Sequence, residues 1–139
     1  MIEIEETQTK TWFIDLDGTV LEHRTNKEID DMIYNQPGAK KEKFLPNALH
    51  FFRQLPKRDI IILTTARLKR HITHTLKFLD DNYFPYDEYI FGLGSGQRIL
   101  LNDIKPAEVT PNKRDMKTAF AVNLDRDKFN FNLIDTIVD

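Results

Sequence analysis

Two aspartates one residue apart, Asp15-Leu16-Asp17, follow the apolar run Thr11-Trp12-Phe13-Ile14 and precede Gly18-Thr19. On an extended strand residues i and i+2 point to the same side, so this spacing sets two carboxylates at one strand end and sends Leu16 the other way. Open α/β sheets hold their ligands beyond the carboxyl ends of strands, which is where this pair would lie. A glycine at 18 permits a tight turn, and the N–H groups after it are expected to face an anion. Clustered carboxylates repel each other, and a hard divalent cation with oxygen ligands relieves that repulsion, with Mg2+ the natural candidate. A calcium loop of the EF-hand kind is excluded by counting from Asp15: position six is Val20 rather than glycine, and position twelve is Asn26 rather than glutamate. The plain alternative for the pentapeptide is an Asp-Gly turn without chemistry.

Two further segments repeat the theme of an apolar run ending in polar groups. Ile61 to Arg67 reads IILTTAR, where hydroxyls at a strand end meet the start of a helix, an arrangement that suits an anion, although either threonine could equally cap the helix. Arg98 to Pro106 reads RILLNDIKP, with Asn102-Asp103 at its strand end and Lys105 two residues on.

Taken in order, DLDGT, a strand ending TTAR and a strand ending ND resemble the haloacid dehalogenase-like phosphohydrolase superfamily over the span Trp12 to Lys105. The resemblance implies a Rossmann-like sheet and magnesium-dependent phosphoryl transfer through an aspartyl-phosphate. It makes Asp15 the nucleophile and Asp17 the acid/base, with Thr65 holding the phosphoryl group and Asp103 joining Asp15 and Asp17 at the metal. Elementary chemistry agrees: a carboxylate can act as a covalent nucleophile, and cations offset the repulsion between it and an anionic phosphate. The family's basic residue from a helix before the third strand has no counterpart here, because only Gly92 to Gln97 link the strand near Phe91 to the next. Arg98 and Lys105 compete for that role. An extended strand would leave Arg98 roughly 16 Å from Asp103, so Lys105 is preferred. Asn102 stands where many relatives carry a second acid, which would weaken metal binding. At the place of the family's cap domain lie only residues 22–43, so the molecule is expected to be capless. An open site would admit a phosphate on a sugar-nucleotide, a polysaccharide precursor, a nucleic-acid end or a protein. Two alternatives are a catalytically weak phosphate-binding or regulatory module, and a phosphoryl transferase without a covalent intermediate.

The elements needed to position these groups can be read from pattern. Thr11–Leu16 and Asp59–Thr64 are continuous apolar runs of the kind found in strands covered on both faces. Tyr89–Phe91, Ile99–Leu101 and Thr118–Val122 are expected as further strands. Leu49, Phe52 and Leu55 define one helix between Pro46 and Pro56, and Ile72, Leu76 and Leu79 another over Leu68–Asp80. Strands alternating with helices imply an α/β fold, here a Rossmann-like three-layer sandwich with a mostly parallel central sheet. The short link at 92–97 leaves the Tyr89 strand either outside the parallel sheet or joined by an extended crossing. Glu22 to Lys43 reads as a flap with weak helical signal around Lys27–Tyr34 and a break at Pro37-Gly38. His23, Arg24, Lys40, Lys41 and Lys43 are expected as a solvated charged surface rather than as substrate contacts, Arg67, Lys69 and Arg70 fit a substrate anion and solvent exposure equally, and His71 and His74 read as surface or core-edge histidines. Gly92 to Gln97 begins like a dinucleotide fingerprint but ends in Gln, and no cofactor is expected there. Phe129 and Phe131 would pack internally or in a dimer.

At 139 residues with 40% hydrophobic content the chain is expected to form one domain with its own core. The 20 basic against 22 acidic residues argue against whole-molecule attraction to nucleic acid or anionic lipid. The absence of cysteine excludes disulfides, a thiolate nucleophile and cysteine-ligated zinc. An acidic start, Met1-Ile2-Glu3-Ile4-Glu5-Glu6, is unlike a secretory leader, so a cytoplasmic location is expected.

Overall fold

The computed structural model describes residues 9–130 together with 132 and 134; the acidic residues 1–6 and Phe131 lie outside these. Three strands, β1 (Thr11–Ile14), β2 (Ile60–Thr64) and β3 (Glu88–Ile90), form a parallel sheet in the order β1-β2-β3. Thr11 stands against Ile60 and Ile14 against Leu63, while Ile62 stands against Glu88 and Thr64 against Ile90. The strand near Tyr89 therefore belongs to the parallel sheet, as its edge. Acidic side chains pin the starts of the strands: Asp59 accepts hydrogen bonds from the Lys10 N–H and the Trp12 indole, and Asp87 accepts one from the Ile61 N–H.

Alternation decides what each face of the sheet meets. Ile14, Leu16, Ile61 and Leu63 point to one side and are buried with Ala48 and Phe52 of helix α2 (Ala48–Arg53), Leu79 of α3 (Ile72–Asp81), and Phe84. Phe52 lies at the centre of a ring cluster, with centroids 5.1 to 6.3 Å from those of Phe51, Phe84, Phe129 and Trp12. Phe129 thus packs internally. The opposite face carries Phe13, Ile60 and Ile90, which are 53%, 41% and 48% exposed. The fold is a small mixed α/β structure in which α2 and α3 pack on one face of a three-stranded parallel sheet. Two expected strands are absent: Ile99–Leu101 forms none, with Ile99 and Leu101 82% and 88% exposed, and neither does Thr118–Val122. Instead β4 (Ile104–Lys105) and β5 (Met116–Lys117) make a short antiparallel pair. An apolar run marks the capacity to form a strand, but a strand also needs a neighbour to satisfy its backbone, and 99–101 has none.

The segment 22–43 is more ordered than the expected flap. Its helix α1 (Asn26–Ile33) is started by a reciprocal cap, in which the Thr25 hydroxyl accepts the Glu28 N–H and Glu28 accepts the Thr25 N–H. Ile29 is its buried anchor. Among the described residues no helix is long and apolar enough to cross a membrane.

Phe52→Ala should cost about 3–5 kcal/mol through the cavity it leaves, whereas Phe13→Ala on the open face should cost less than about 1 kcal/mol. Urea unfolding followed by the fluorescence of Trp12, the single tryptophan, measures both.

Candidate active site

Asp15 and Asp17 emerge just past β1, beside Thr64 and Thr65 at the end of β2. Asp15 is exposed, and the Thr19 hydroxyl donates to its Oδ2 at 3.2 Å. Crowding by the strand ends raises its pKa above the ordinary carboxyl value. Hydrogen bonds from Thr19 and the Leu16 backbone oppose that rise, the charge of Asp17 adds to it, and the charge of Arg98 opposes it. Gly18 makes the turn at φ +81°, and a Cβ there would lie 3.0 Å from Cγ of Arg126. The expected anion nest is not formed. The N–H groups of Thr19, Val20 and Leu21 all converge on the Leu16 carbonyl at 2.9 to 3.1 Å, and that of Gly18 donates to Leu21. The chain satisfies its own donors because Leu16, Val20 and Leu21 are drawn into the core.

Asp17 faces a group that pattern did not reveal. Arg67, expected to meet solvent or a substrate anion, is 1% exposed, and its guanidinium makes a bond with each of its five N–H groups. Nε and Nη2 donate to the two oxygens of Asp17 at 2.9 and 2.8 Å. Nη1 and Nη2 donate to the two oxygens of Glu42 at 2.6 and 2.9 Å, and Nη1 also donates to the Thr75 hydroxyl at 2.9 Å. A buried cation is tolerated when paired and fully hydrogen-bonded, and this one is. It has no donor left for a substrate anion. Glu42 also lies 2.9 Å from Nε2 of His74. Burial acts to raise the Glu42 pKa, yet the bonds to Arg67 and His74 outweigh it and hold the group at about 2.

A second cluster ties the same segment down. Asp30 of α1 accepts two bonds from Arg70 and lies 2.7 Å from Nε2 of His71, a fully buried ring whose Nδ1 accepts the Leu68 N–H. Nε2 is therefore the donor to Asp30. Arg24, also buried, donates to the carbonyls of His23 and Lys41. Residues 22–43 are thus clamped to the segment after β2, not free over the site.

The remaining expectations divide. Thr65 is fully buried; its Oγ1 accepts the Arg67 N–H at 3.0 Å, closing a turn in the capping manner, and its carbonyl accepts the Leu93 N–H. Arg98 donates to the carbonyls of Gly96 and Gly94, folding its guanidinium back over the loop that leads from β3. It is the cation whose charge acts on Asp15. The 16 Å spacing assumed for it fails because 98–103 is not a strand of the sheet. Lys105 sits exposed on β4, against Met116. Asp103 is exposed as well, and its carbonyl accepts the Thr118 hydroxyl. Among the described residues no group of three or more His, Cys, Asp or Glu stands close enough to hold a metal ion, so Asp15, Asp17 and Asp103 are not gathered. Asp103 lies apart because its segment joins the β4–β5 pair rather than the sheet. Nothing in the sequence announces the Arg67 cluster, whose acids are 25 and 50 residues away.

Because the Glu42 pKa is depressed on folding, from an ordinary 4.5 to about 2, its contribution is fully present above pH 4.5 and lost as pH falls through 2. Glu42→Gln should cost about 3 kcal/mol at pH 7, and the gap to the native protein should narrow between pH 4.5 and 2. Urea midpoints measured across that range check both statements.

Searches against protein-family models, curated proteins and solved structures returned no match to this chain.

Proposed function

We propose that this chain is a phosphohydrolase for phosphate monoesters, working through a phosphoryl group carried on Asp15 on a capless, Rossmann-like scaffold. The observation that carries the reading is the contrast between the two aspartates: Asp15 is solvent-exposed and held by the Thr19 hydroxyl and the Leu16 backbone, whereas Asp17, two residues on, is held by the buried cation Arg67. A nucleophile must be free to move onto phosphorus, and an acid/base must be held in place beside it. In the first step an Asp15 oxygen bonds to phosphorus as the bond to the ester oxygen breaks, and Asp17, entering this step in its protonated form, gives its proton to the leaving oxygen and is left as the carboxylate. In the second, Asp17 takes a proton from water as the water oxygen attacks phosphorus and Asp15 is released. Both Asp17 oxygens keep lone pairs beyond those used by Arg67, so the second role needs no rearrangement.

Arg98, rather than Lys105, is the cation proposed for the phosphoryl oxygens, since its charge is felt at Asp15. Mg2+ belongs to the proposal as the counter-charge that would let two anions meet. The acids as arranged do not fit a three-carboxylate site, so no step is routed through the ion. A second reading, a phosphate-binding module with little turnover, draws on the double engagement of Asp17 by Arg67.

Phosphate release from a panel of sugar, nucleotide and peptide monoesters, with and without Mg2+, tests the proposal. Turnover is expected in the native protein and a loss of about 1,000-fold or more in Asp15→Asn. Arg98→Ala should lose about 100-fold and Lys105→Ala less than about 3-fold. Phosphate binding without release across the whole panel would select the second reading.

A further inference from the structure

We infer that Glu42 is a positioning residue for Asp17, acting through Arg67, and that residues 22–43 serve the site as a fixed brace rather than as a lid. The bidentate contact of Arg67 with Asp17 sets the carboxylate plane, but a guanidinium has a free torsion behind it unless its far edge is also held. Glu42 holds that edge with both oxygens, its own side chain only 3% exposed, and Thr75 takes the remaining N–H. His74 in turn borders Glu42 from α3. The groups facing one another are thus Asp17, Arg67, Glu42 and His74, supplied by three separate stretches of chain. Among the described residues, Glu42 is the side chain of segment 22–43 that bonds to the guanidinium holding Asp17. The segment's other charged anchor, Asp30 with Arg70 and His71, touches neither Asp17 nor Arg67. Loss of either anchor loosens the segment, but only loss of Glu42 should disturb the acid/base.

That difference supplies the test, whose kinetic arm rests on the phosphohydrolase reading and whose spectroscopic arm does not. In the full-length protein, Glu42→Gln should lower kcat by about ten-fold or more with KM changed less than about three-fold, while Asp30→Asn leaves both within about two-fold. By NMR, the Arg67 Nε–H resonance should exchange slowly with water in the native protein and in Asp30→Asn, and about ten-fold faster in Glu42→Gln. If Glu42→Gln does not fold, Glu42→Asp, which keeps the charge but shortens the reach, should show the same changes in smaller measure. Equal losses of kcat in the Glu42 and Asp30 variants would overturn the inference, as would an unchanged Arg67 resonance in the Glu42 variant. A native protein that releases no phosphate but shows the expected Arg67 behaviour would sink the phosphohydrolase reading and leave the positioning role standing.

Discussion

The structure around the candidate site depends on one buried cation. A guanidinium out of water is costly unless every N–H is bonded and its charge is balanced, and Arg67 meets both conditions with Asp17, Glu42 and Thr75. To do so it must draw together the end of β1, the segment between α1 and α2, and the face of α3. Backbone bonds already tie the first two of these together, with the Glu22 N–H donating to Lys43 and the Leu45 N–H to Val20, and the five-bond fork adds the side-chain tie that fixes Asp17 among them. The same interaction gives the two aspartates unlike surroundings, and unlike surroundings are what allow two chemically identical side chains to take different parts in one reaction.

The pieces that pattern makes legible are those whose environment is local. Continuous apolar runs mark β1 and β2, and helical spacing marks α2 and α3, because each buries one stripe or face against the same core, whereas β3 is exposed along its length and is held by its pairing with β2. Helix α1 carries the apolar spacing i, i+3, i+4 at Ile29, Met32 and Ile33 but in only eight residues, and of these only Ile29 is buried, so its cap and its ionic contacts hold the rest. The run Ile99–Leu101 shows the converse. Its composition has the strength of a strand, yet pairing depends on where a distant neighbour's backbone lies, and composition does not carry that.

The site divides along the same line. The i, i+2 carboxylates follow from strand geometry, and Asp15 and Asp17 stand together at the strand end as spacing implies. Arg67 was legible only as a cation for solvent or a substrate anion, His74 as a surface or core-edge histidine, and Glu42 only as part of a charged segment. Whether such a residue is buried is decided by partners far away in sequence, and a default to the surface fails where a network can be completed. The roughly 16 Å placed between Arg98 and Asp103 lost its basis for a related reason: a distance along an assumed strand has meaning only if the strand exists.

The register of Thr11 against Ile60 also has a bearing on synthesis. β1 leaves the ribosome first, and its partner follows about 49 residues later, a wait of roughly 2–10 s at ordinary elongation rates. Until then Trp12, Phe13 and Ile14 have no strand to lie against. The nascent chain must keep this sticky beginning unattached while β2 is still being made, and the tether between them sets how soon the two can meet.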